Sequence, residues 1–259
     1  MKRFFRRHAT LWMLIGFCLL LGLFLSLRTG IFFTGRNLIN ILEANSFKLL
    51  LAIGMTFVIA SGGIDLSVGS ILSLSAIFTA LCMKQNIPVW LAILVGLLSG
   101  ILMGLINGAL IHFTGINAFI ITLGTSFLYR GLALIVTRGT PVSKLPAAYR
   151  AFGGGDIFQV ESGVYMALLV LFLSIPLLYK MRWGHYITTL GGNPVALRRC
   201  GVRTGAWRIS TFAVMGFLAA LAGIIISARL NSAEPNAGLN MEMDAITAVI
   251  LGGTPLHGG

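Results

Sequence analysis

The chain has 259 residues, of which 57% are hydrophobic and only 10% are charged, and its mean hydropathy is +0.92. Water-soluble domains carry about 25% Asp, Glu, Lys and Arg, so this composition excludes a soluble globular protein and favours a membrane protein. The 19 Lys and Arg outnumber the 7 Asp and Glu, giving a formal net charge of +12. These bases lie between apolar runs rather than on a soluble basic module, which argues against a nucleic-acid partner.

The basic residues are densest at two places that contain no acidic residue. One is the N-terminus, with four bases between Lys2 and Arg7, and the other extends from Lys180 to Arg208. Because short cytoplasmic loops collect Lys and Arg, we expect both clusters, including the N-terminus, to lie in the cytoplasm. No small-x-small cleavage pattern follows the first apolar run, so this run predicts a retained span rather than a signal peptide.

Seven apolar runs are candidates for spanning helices, since a crossing takes about 20 predominantly apolar residues. They lie near 10–27, 47–60, 67–83, 89–113, 118–136, 164–181 and 210–228. Six crossings from a cytoplasmic N-terminus return the chain to the cytoplasm at Met181, where the second basic cluster begins. We therefore expect an all-α, polytopic membrane bundle, with residues 1–259 as one transmembrane domain and a cytoplasmic loop over 182–209.

Two segments predict helices that are interrupted within the membrane. The second run stops at the sequence SGG (61–63), and apolar residues resume only after IDLS (64–67). Irregular backbone at this depth occurs only where protein or water satisfies its polar groups, so such breaks tend to line cavities. The run 241–251 contains two acids, ends at a glycine pair and is too short to cross, which predicts a partial or re-entrant helix near one membrane surface.

The fourth run has a glycine at every fourth position from Gly96 to Gly108. Small residues at this spacing place a flat groove on one helix face, where another helix can approach closely. We expect this groove to pack within the chain rather than between subunits.

Polar residues inside apolar runs are the candidates for a substrate pathway, because buried charge in a membrane indicates a function or a partner. Asp65 either accepts hydrogen bonds from a polyol or shapes the pore, or it caps helix ends or pairs with Arg130. The Arg130 side chain either extends to a membrane interface or pairs with Asp65. Hydroxyls in helices also commonly bond their own carbonyls. The pathway candidates are Asp65, Ser67, Thr122, Thr125, Ser126 and Asn231.

Catalytic and metal-binding patterns are absent from the sequence. The four histidines lie far apart without a helical-spaced metal partner, and no glycine-rich phosphate loop ends in Lys and Ser or Thr. The three cysteines are scattered and fit neither a disulfide framework nor a metal site. We therefore expect no enzyme activity, no metal and no cofactor bound by this chain. If ATP drives the protein, the nucleotide binds another polypeptide.

The basic loop contains a short predicted helix with a start and a stop signal. Asn193 can cap it with Pro194 at its first position, and Gly201 can end it. A short helix between two spans is suited to docking into a partner's cleft. The alternative is an amphipathic helix on anionic lipid.

Four stretches together resemble the permease subunits of carbohydrate ABC importers, of the ribose, galactose and galactofuranose type. They are SGGIDLSVGS (61–70), FIITLGT with YRG (119–125 and 129–131), GGN through the glycine at 201 (191–201), and DAI with VILGGT and GG (244–246, 249–254 and 258–259). They are spread in order over nearly the whole chain, which makes the combination specific although each piece alone is weak.

The resemblance implies a bacterial inner-membrane importer in which two permease subunits, identical or different, enclose the pathway. A cytoplasmic ATPase, using ATP and Mg, would grip the loop around 191–201, and a periplasmic sugar-binding protein would deliver the substrate. We assign to ATPase coupling Gly191, Gly192, Asn193, Ala196, Arg198 and Gly201. We assign to structure or gating Gly62, Gly63, Arg130, Glu242, Asp244, Gly252 and Gly253.

The family usually continues beyond the second glycine pair, so the resemblance also implies that the last helices are lacking from this chain. Two other functions remain open. An ion-coupled secondary transporter would import a small polar solute alone on an ion gradient. A membrane-embedded enzyme would need clustered acids, bases or metal ligands. The substrate is open among ribose, galactose, a furanose and a sugar-derived signal.

Overall fold

The computed structural model describes residues 9–255 and 258–259, which form eleven helices and four two-residue strands. The helices are α1 (Ala9–Thr29), α2 (Gly35–Ala60), α3 (Val68–Lys84), α4 (Val89–Thr114), α5 (Ala118–Thr137), α6 (Ala147–Gly154), α7 (Ser162–Tyr179), α8 (Arg182–Gly192), α9 (Pro194–Arg199), α10 (Thr204–Leu230) and α11 (Met241–Leu251). The strands are β1 (Val142–Ser143), β2 (Asp156–Ile157), β3 (Val160–Glu161) and β4 (Ser232–Ala233). The basic cluster between Lys2 and Arg7, with His8 and His257, lies outside the described residues.

The predicted all-α membrane bundle is confirmed. Helices α1, α2, α4, α5, α7 and α10 are long and apolar enough to cross a membrane, and α3 is a shorter apolar helix of 17 residues. Helix α2 begins twelve residues before the predicted run, because Thr34 caps it by accepting a hydrogen bond from the backbone N–H of Asn37. Polar side chains in its first half hid this extension from a hydropathy argument.

Helix α10 lies at the centre of the bundle and packs against α2, α3, α4 and α6. The glycine ladder of α4 faces it: a Cβ added at Gly104 would overlap the Phe212 carbonyl oxygen, and one at Gly100 would overlap Ala220. The predicted packing of the ladder within the chain is therefore confirmed. In contrast, α1 is almost wholly exposed, as expected of a helix that faces lipid or a partner chain.

Two antiparallel strand pairs, which hydropathy did not predict, lie outside the spanning helices. Val142 pairs with Ala233 in β1 and β4, and Asp156 pairs with Glu161 in β2 and β3. The partial helix predicted over 241–251 is present as α11. It lies beside the second half of α2, from the level of Lys48 towards Ala60.

Candidate substrate pathway and coupling segment

The predicted break is an irregular segment, 61–67, between α2 and α3. Gly62 has a φ of 79°, which a residue with a Cβ rarely adopts, and the Gly63 N–H bonds back to the Val58 carbonyl. A Cβ at Gly62 would lie 3.3 Å from the Cα of Gly191. Glycine is therefore needed here both for backbone conformation and for close approach to α8.

Asp65 is fully buried at the centre of a polar network. Its Oδ1 accepts hydrogen bonds from the backbone N–H of Ser67 at 2.8 Å and from the Ser67 hydroxyl at 2.6 Å. Asn107 of α4 donates to the Ser67 Oγ at 2.7 Å, and the Tyr129 hydroxyl of α5 donates to Asn107 Oδ1 at 3.2 Å. Within the described part of the chain, Asp65 Oδ2 has no hydrogen-bond partner.

Thr122 joins the same break to α5. Its Oγ1 accepts from the Leu66 N–H at 3.1 Å and donates to the carbonyls of Ala118 at 2.8 Å and Ile64 at 3.2 Å. In this conformation Asp65, Ser67 and Thr122 are buried and bonded to the protein, so they hold the break in place. Asn107 and Tyr129 belong to the same network but were missed in the sequence, since only their proximity in the fold identifies them.

In the residues that the structure describes, Arg130 neither pairs with Asp65 nor extends to an interface, the two alternatives that the sequence left open; it contacts the loop before α11. Its guanidinium donates to the carbonyl oxygens of Pro235 at 2.5 Å and Ala237 at 2.7 Å. Ser73 of α3 donates to the carbonyls of the same loop at 2.9 Å, and the backbones of Gly69 and Gly238 are in close approach. Arg130 thus fixes the segment before α11, and among the described residues it makes no ion pair with Asp65.

The other pathway candidates are spread over the molecule. Thr125 and Ser126 are half-buried on α5, where Thr125 bonds the Thr122 carbonyl of its own helix. Asn231 ends α10 in a left-handed conformation, and its side chain accepts from the Leu145 N–H at 3.0 Å. The structure therefore brings together Asp65, Ser67 and Thr122 but not these three.

A groove of about 550 Å³, lined mainly by apolar residues, lies between α2 and α11. Lys48 and Asp244 form an ion pair of 2.8 Å in it, and their side chains are 41% and 54% exposed. Asn45 and Thr247 also line the groove, beside apolar residues. Lys48 was missed in the sequence, although a lysine at the start of an apolar run is the signal that could have identified it. Exposed charge halfway along a spanning helix requires water or a partner chain over this groove.

Segment 191–201, for which we predict ATPase coupling and which we call the coupling segment, has the local structure that its sequence predicts. Asn193 caps α9 by accepting from the Ala196 N–H at 2.9 Å, Pro194 is its first residue, and Gly201 follows it with a φ of 78°. Val195 is 55% exposed on this six-residue helix. The segment thus presents a short, capped helix with an exposed apolar side chain between the spanning helices α7 and α10.

Glycine contacts join this segment to the break. A Cβ at Gly191 would overlap the carbonyl oxygen of Ala60, and one at Gly258 would lie 2.8 Å from Gly191 Cα and 3.0 Å from Gly62 Cα. The Gly259 N–H donates to the same Ala60 carbonyl at 3.2 Å. Backbone contact without intervening side chains therefore joins α8 to the break.

An ion cluster ties the opposite end of the bundle together. Arg229 at the end of α10 contacts Glu161 at 2.9 Å and Glu43 of α2 at 4.0 Å, and the Glu161 N–H donates to Glu43 at 3.1 Å. Burial raises the pKa of the Glu161 carboxyl, while the adjacent Arg229 acts in the opposite direction. No group of three or more His, Cys, Asp or Glu in the described ranges is arranged to hold a metal ion.

Comparison with known proteins gives the family. Residues 37–258 match the family described as "Branched-chain amino acid transport system / permease component". "Ribose import permease protein RbsC" of Haemophilus influenzae is 39% identical over 232 residues, which cover 88% of this chain and 72% of the relative. "D-allose transport system permease protein AlsC" of Escherichia coli is 35% identical over 257 residues, covering 99% and 78%. 

"Autoinducer 2 import system permease protein LsrC" of Yersinia enterocolitica is 34% identical over 228 residues, covering 88% of this chain and 63% of the relative. No solved structure matches the chain. With a family match over most of its length and relatives well above 30% identity, the chain belongs to this family of transport-system permease components.

Proposed function

We propose that this chain is the membrane permease of an ATP-driven importer that moves a monosaccharide or sugar-like solute into the cytoplasm. The observation that supports it most directly is the short capped helix α9, which is exposed for docking and whose neighbour α8 contacts the helix break through Gly191. A passive pore would need no such exposed connection. The similarity to ribose and D-allose permeases supports the sugar class.

In this proposal the segment from Lys180 to Arg208 faces the cytoplasm together with the N-terminus, since both are rich in bases and free of acids. A separate ATPase binds α9, and this ATPase binds and hydrolyses ATP with Mg. Movement of α9 and α8 reaches Gly62 by backbone contact and changes the angle between α2 and α3. The chain itself holds no nucleotide and catalyses no covalent reaction.

The groove between α2 and α11 supplies the substrate pathway, closed by the same face of a second permease subunit. Lys48, Asp244, Asn45 and Thr247 offer donors and acceptors of both kinds, which suit the hydroxyl groups of a sugar. A periplasmic binding protein delivers the sugar to the end of the bundle that carries the ion cluster of Arg229.

Uptake by proteoliposomes tests the proposal. The chain is reconstituted with a candidate ATPase and a candidate sugar-binding protein from the same organism, and labelled ribose, D-allose and leucine are offered with and without ATP inside. We expect sugar accumulation that requires both ATP and the ATPase. Leucine accumulation in place of sugar would show that the substrate is an amino acid, as the family's description suggests. Uptake by the chain alone on an ion gradient would instead establish a secondary transporter.

A further inference from the structure

A second cavity, of about 770 Å³, opens beside the coupling segment. It lies between the end of α4, helix α9 and the start of α10, and its charged lining consists of Arg198, Arg203 and Arg208. His112 and the backbone at Thr204 to Ala206 complete the polar part of the wall. This cavity is separate from the groove between α2 and α11.

The three arginines have no counter-charge in the part of the chain that the structure describes. None of them forms a hydrogen bond or an ion pair with any residue in the described ranges, and Arg198 and Arg208 lie close enough to repel each other. The segments that line the cavity fall within residues 66–155 and 162–233, which contain no Asp or Glu. Arg198 and Arg203 are exposed and Arg208 is half-buried, so three cations that are unpaired within the described ranges line one cavity and favour the binding of an anion there.

The position of the cavity indicates which anion binds. It lies at the ends of two helices that are long and apolar enough to span a membrane, and such helices end near the phosphate layer of the bilayer. Phe113 and Ile116 follow the lining residues His112 and Gly115 in the chain, and they are 80% and 45% exposed. Exposed apolar side chains therefore lie near the basic lining. An acyl chain against Phe113 and a phosphate against the arginines would satisfy both. Guanidinium groups bind phosphate oxygens through paired, charge-assisted hydrogen bonds.

We propose that this cavity binds the headgroup phosphate of an anionic glycerophospholipid beside α9. The start of α10 adds backbone N–H groups and the positive end of its dipole to the same site. The proposal concerns lipid binding alone and does not depend on which solute is transported.

Lipid titration of the purified chain in complex with its ATPase tests this site. Native mass spectrometry in detergent measures the binding of dioleoylphosphatidylglycerol and dioleoylphosphatidylcholine. We expect the anionic lipid to bind at least tenfold more tightly, and the variant Arg198→Gln/Arg203→Gln/Arg208→Gln to lose at least tenfold of that affinity. The control variant Lys180→Gln/Arg182→Gln/Arg199→Gln removes the same charge outside the cavity and retains the binding.

Three outcomes would overturn the proposal. Equal loss of lipid in the two triple variants would show non-specific attraction only. Displacement of the lipid by 10 mM inorganic phosphate would identify a site for the free anion. Binding in the isolated permease that disappears when the ATPase is added would assign the arginines to an acidic surface of that partner. Arg203→Gln alone, at an exposed side chain, tests the same site without risk to folding, and we expect it to weaken lipid binding at least threefold.

Discussion

Ser67 is the residue on which the buried network depends. Its hydroxyl donates to Asp65 Oδ1 and accepts from Asn107, so alanine at this position leaves the buried Asn107 amide without an acceptor and removes one of the two hydrogen bonds to Asp65 Oδ1. We expect Ser67→Ala to lower the free energy of unfolding by about 1–3 kcal/mol, because unsatisfied buried groups cost this much. Thermal unfolding of the purified chain in detergent, followed by helical circular dichroism, measures the change.

Ser174→Ala is the matched control for this variant. The Ser174 hydroxyl bonds only the Leu171 carbonyl of its own helix, so its removal leaves no other side chain unpaired. We expect its effect to stay within about 0.5 kcal/mol. Equal destabilisation by the two variants would contradict the role given to the network.

At this scale the sequence identified positions better than partners. A carboxylate following two glycines inside an apolar run marked Asp65, but Asn107 and Tyr129 lie 40 to 64 residues from Ser67 and Asp65 and meet them only through packing of α4 and α5. The choice between a pathway and a structural role for Asp65 could not be made from spacing, because burial and bonding decide it. Arg130 likewise donates hydrogen bonds to backbone carbonyls, and a sequence pattern cannot predict such partners.

Among the elements, the contact between α4 and α10 rests on glycine. A Cβ at Gly104 would overlap the Phe212 carbonyl, whereas a Cβ at Gly131 of α5 meets nothing within 4 Å. We expect Gly104→Ala to destabilise the protein by about 1–3 kcal/mol through overpacking. Gly131→Ala should be neutral or slightly stabilising, since alanine is the better helix former. The two thermal unfolding midpoints, compared in the same detergent, check this; equal midpoints would mean that the helices are not so closely packed.

Adjacent glycines at the end of α8 provide a test of the coupling path. A Cβ at Gly191 would overlap the Ala60 carbonyl, but one at Gly192 would lie 3.8 Å from its nearest neighbour, Gly259. We expect Gly191→Ala to separate α8 from the break and to reduce ATP-driven uptake at least tenfold, while the ATPase still co-purifies. Gly192→Ala should retain uptake. Similar uptake by both variants would place the coupling path elsewhere.

Elements were predictable where one physical signal dominated. Hydropathy located the six helices that are long enough to span a membrane and the shorter apolar helix α3, and the Asn-Pro start with a later glycine located α9. The first half of α2 escaped because its polar side chains find partners in the fold. Asn37 and Asn45 donate to backbone carbonyls, and Glu43 accepts from the Glu161 N–H. The two-residue strands escaped because they are too short to show an alternating pattern, and β1 and β4 also come from distant segments.

Over the whole molecule, direct contacts connect segment 191–201 to the break, and the break is continuous with α2, which lines the groove. Helix α8 touches the break at Gly62, the break ends α2, and α2 forms one wall of the groove through Lys48. Helix α11, which forms the other wall, follows a loop held by Arg130. In the proposed mechanism, a displacement at α9 would move the α2 wall of the groove against the α11 wall, which is the motion that alternating access needs.

The environment of the groove gives the last prediction. A charged side chain facing lipid near the bilayer centre costs about 2.5–3.5 kcal/mol, so a lipid-facing Lys48 and Asp244 would make their replacement stabilising. In a hydrated pathway an exposed pair contributes about 0–1 kcal/mol. We expect Lys48→Met/Asp244→Leu to change the free energy of unfolding by no more than about 1 kcal/mol while ATP-driven uptake falls at least tenfold, because the sugar loses its polar contacts. Lys84→Met, which removes an exposed charge at the end of α3 outside the groove, should retain uptake. A more stable double variant with normal uptake would place the groove against lipid and the solute path elsewhere.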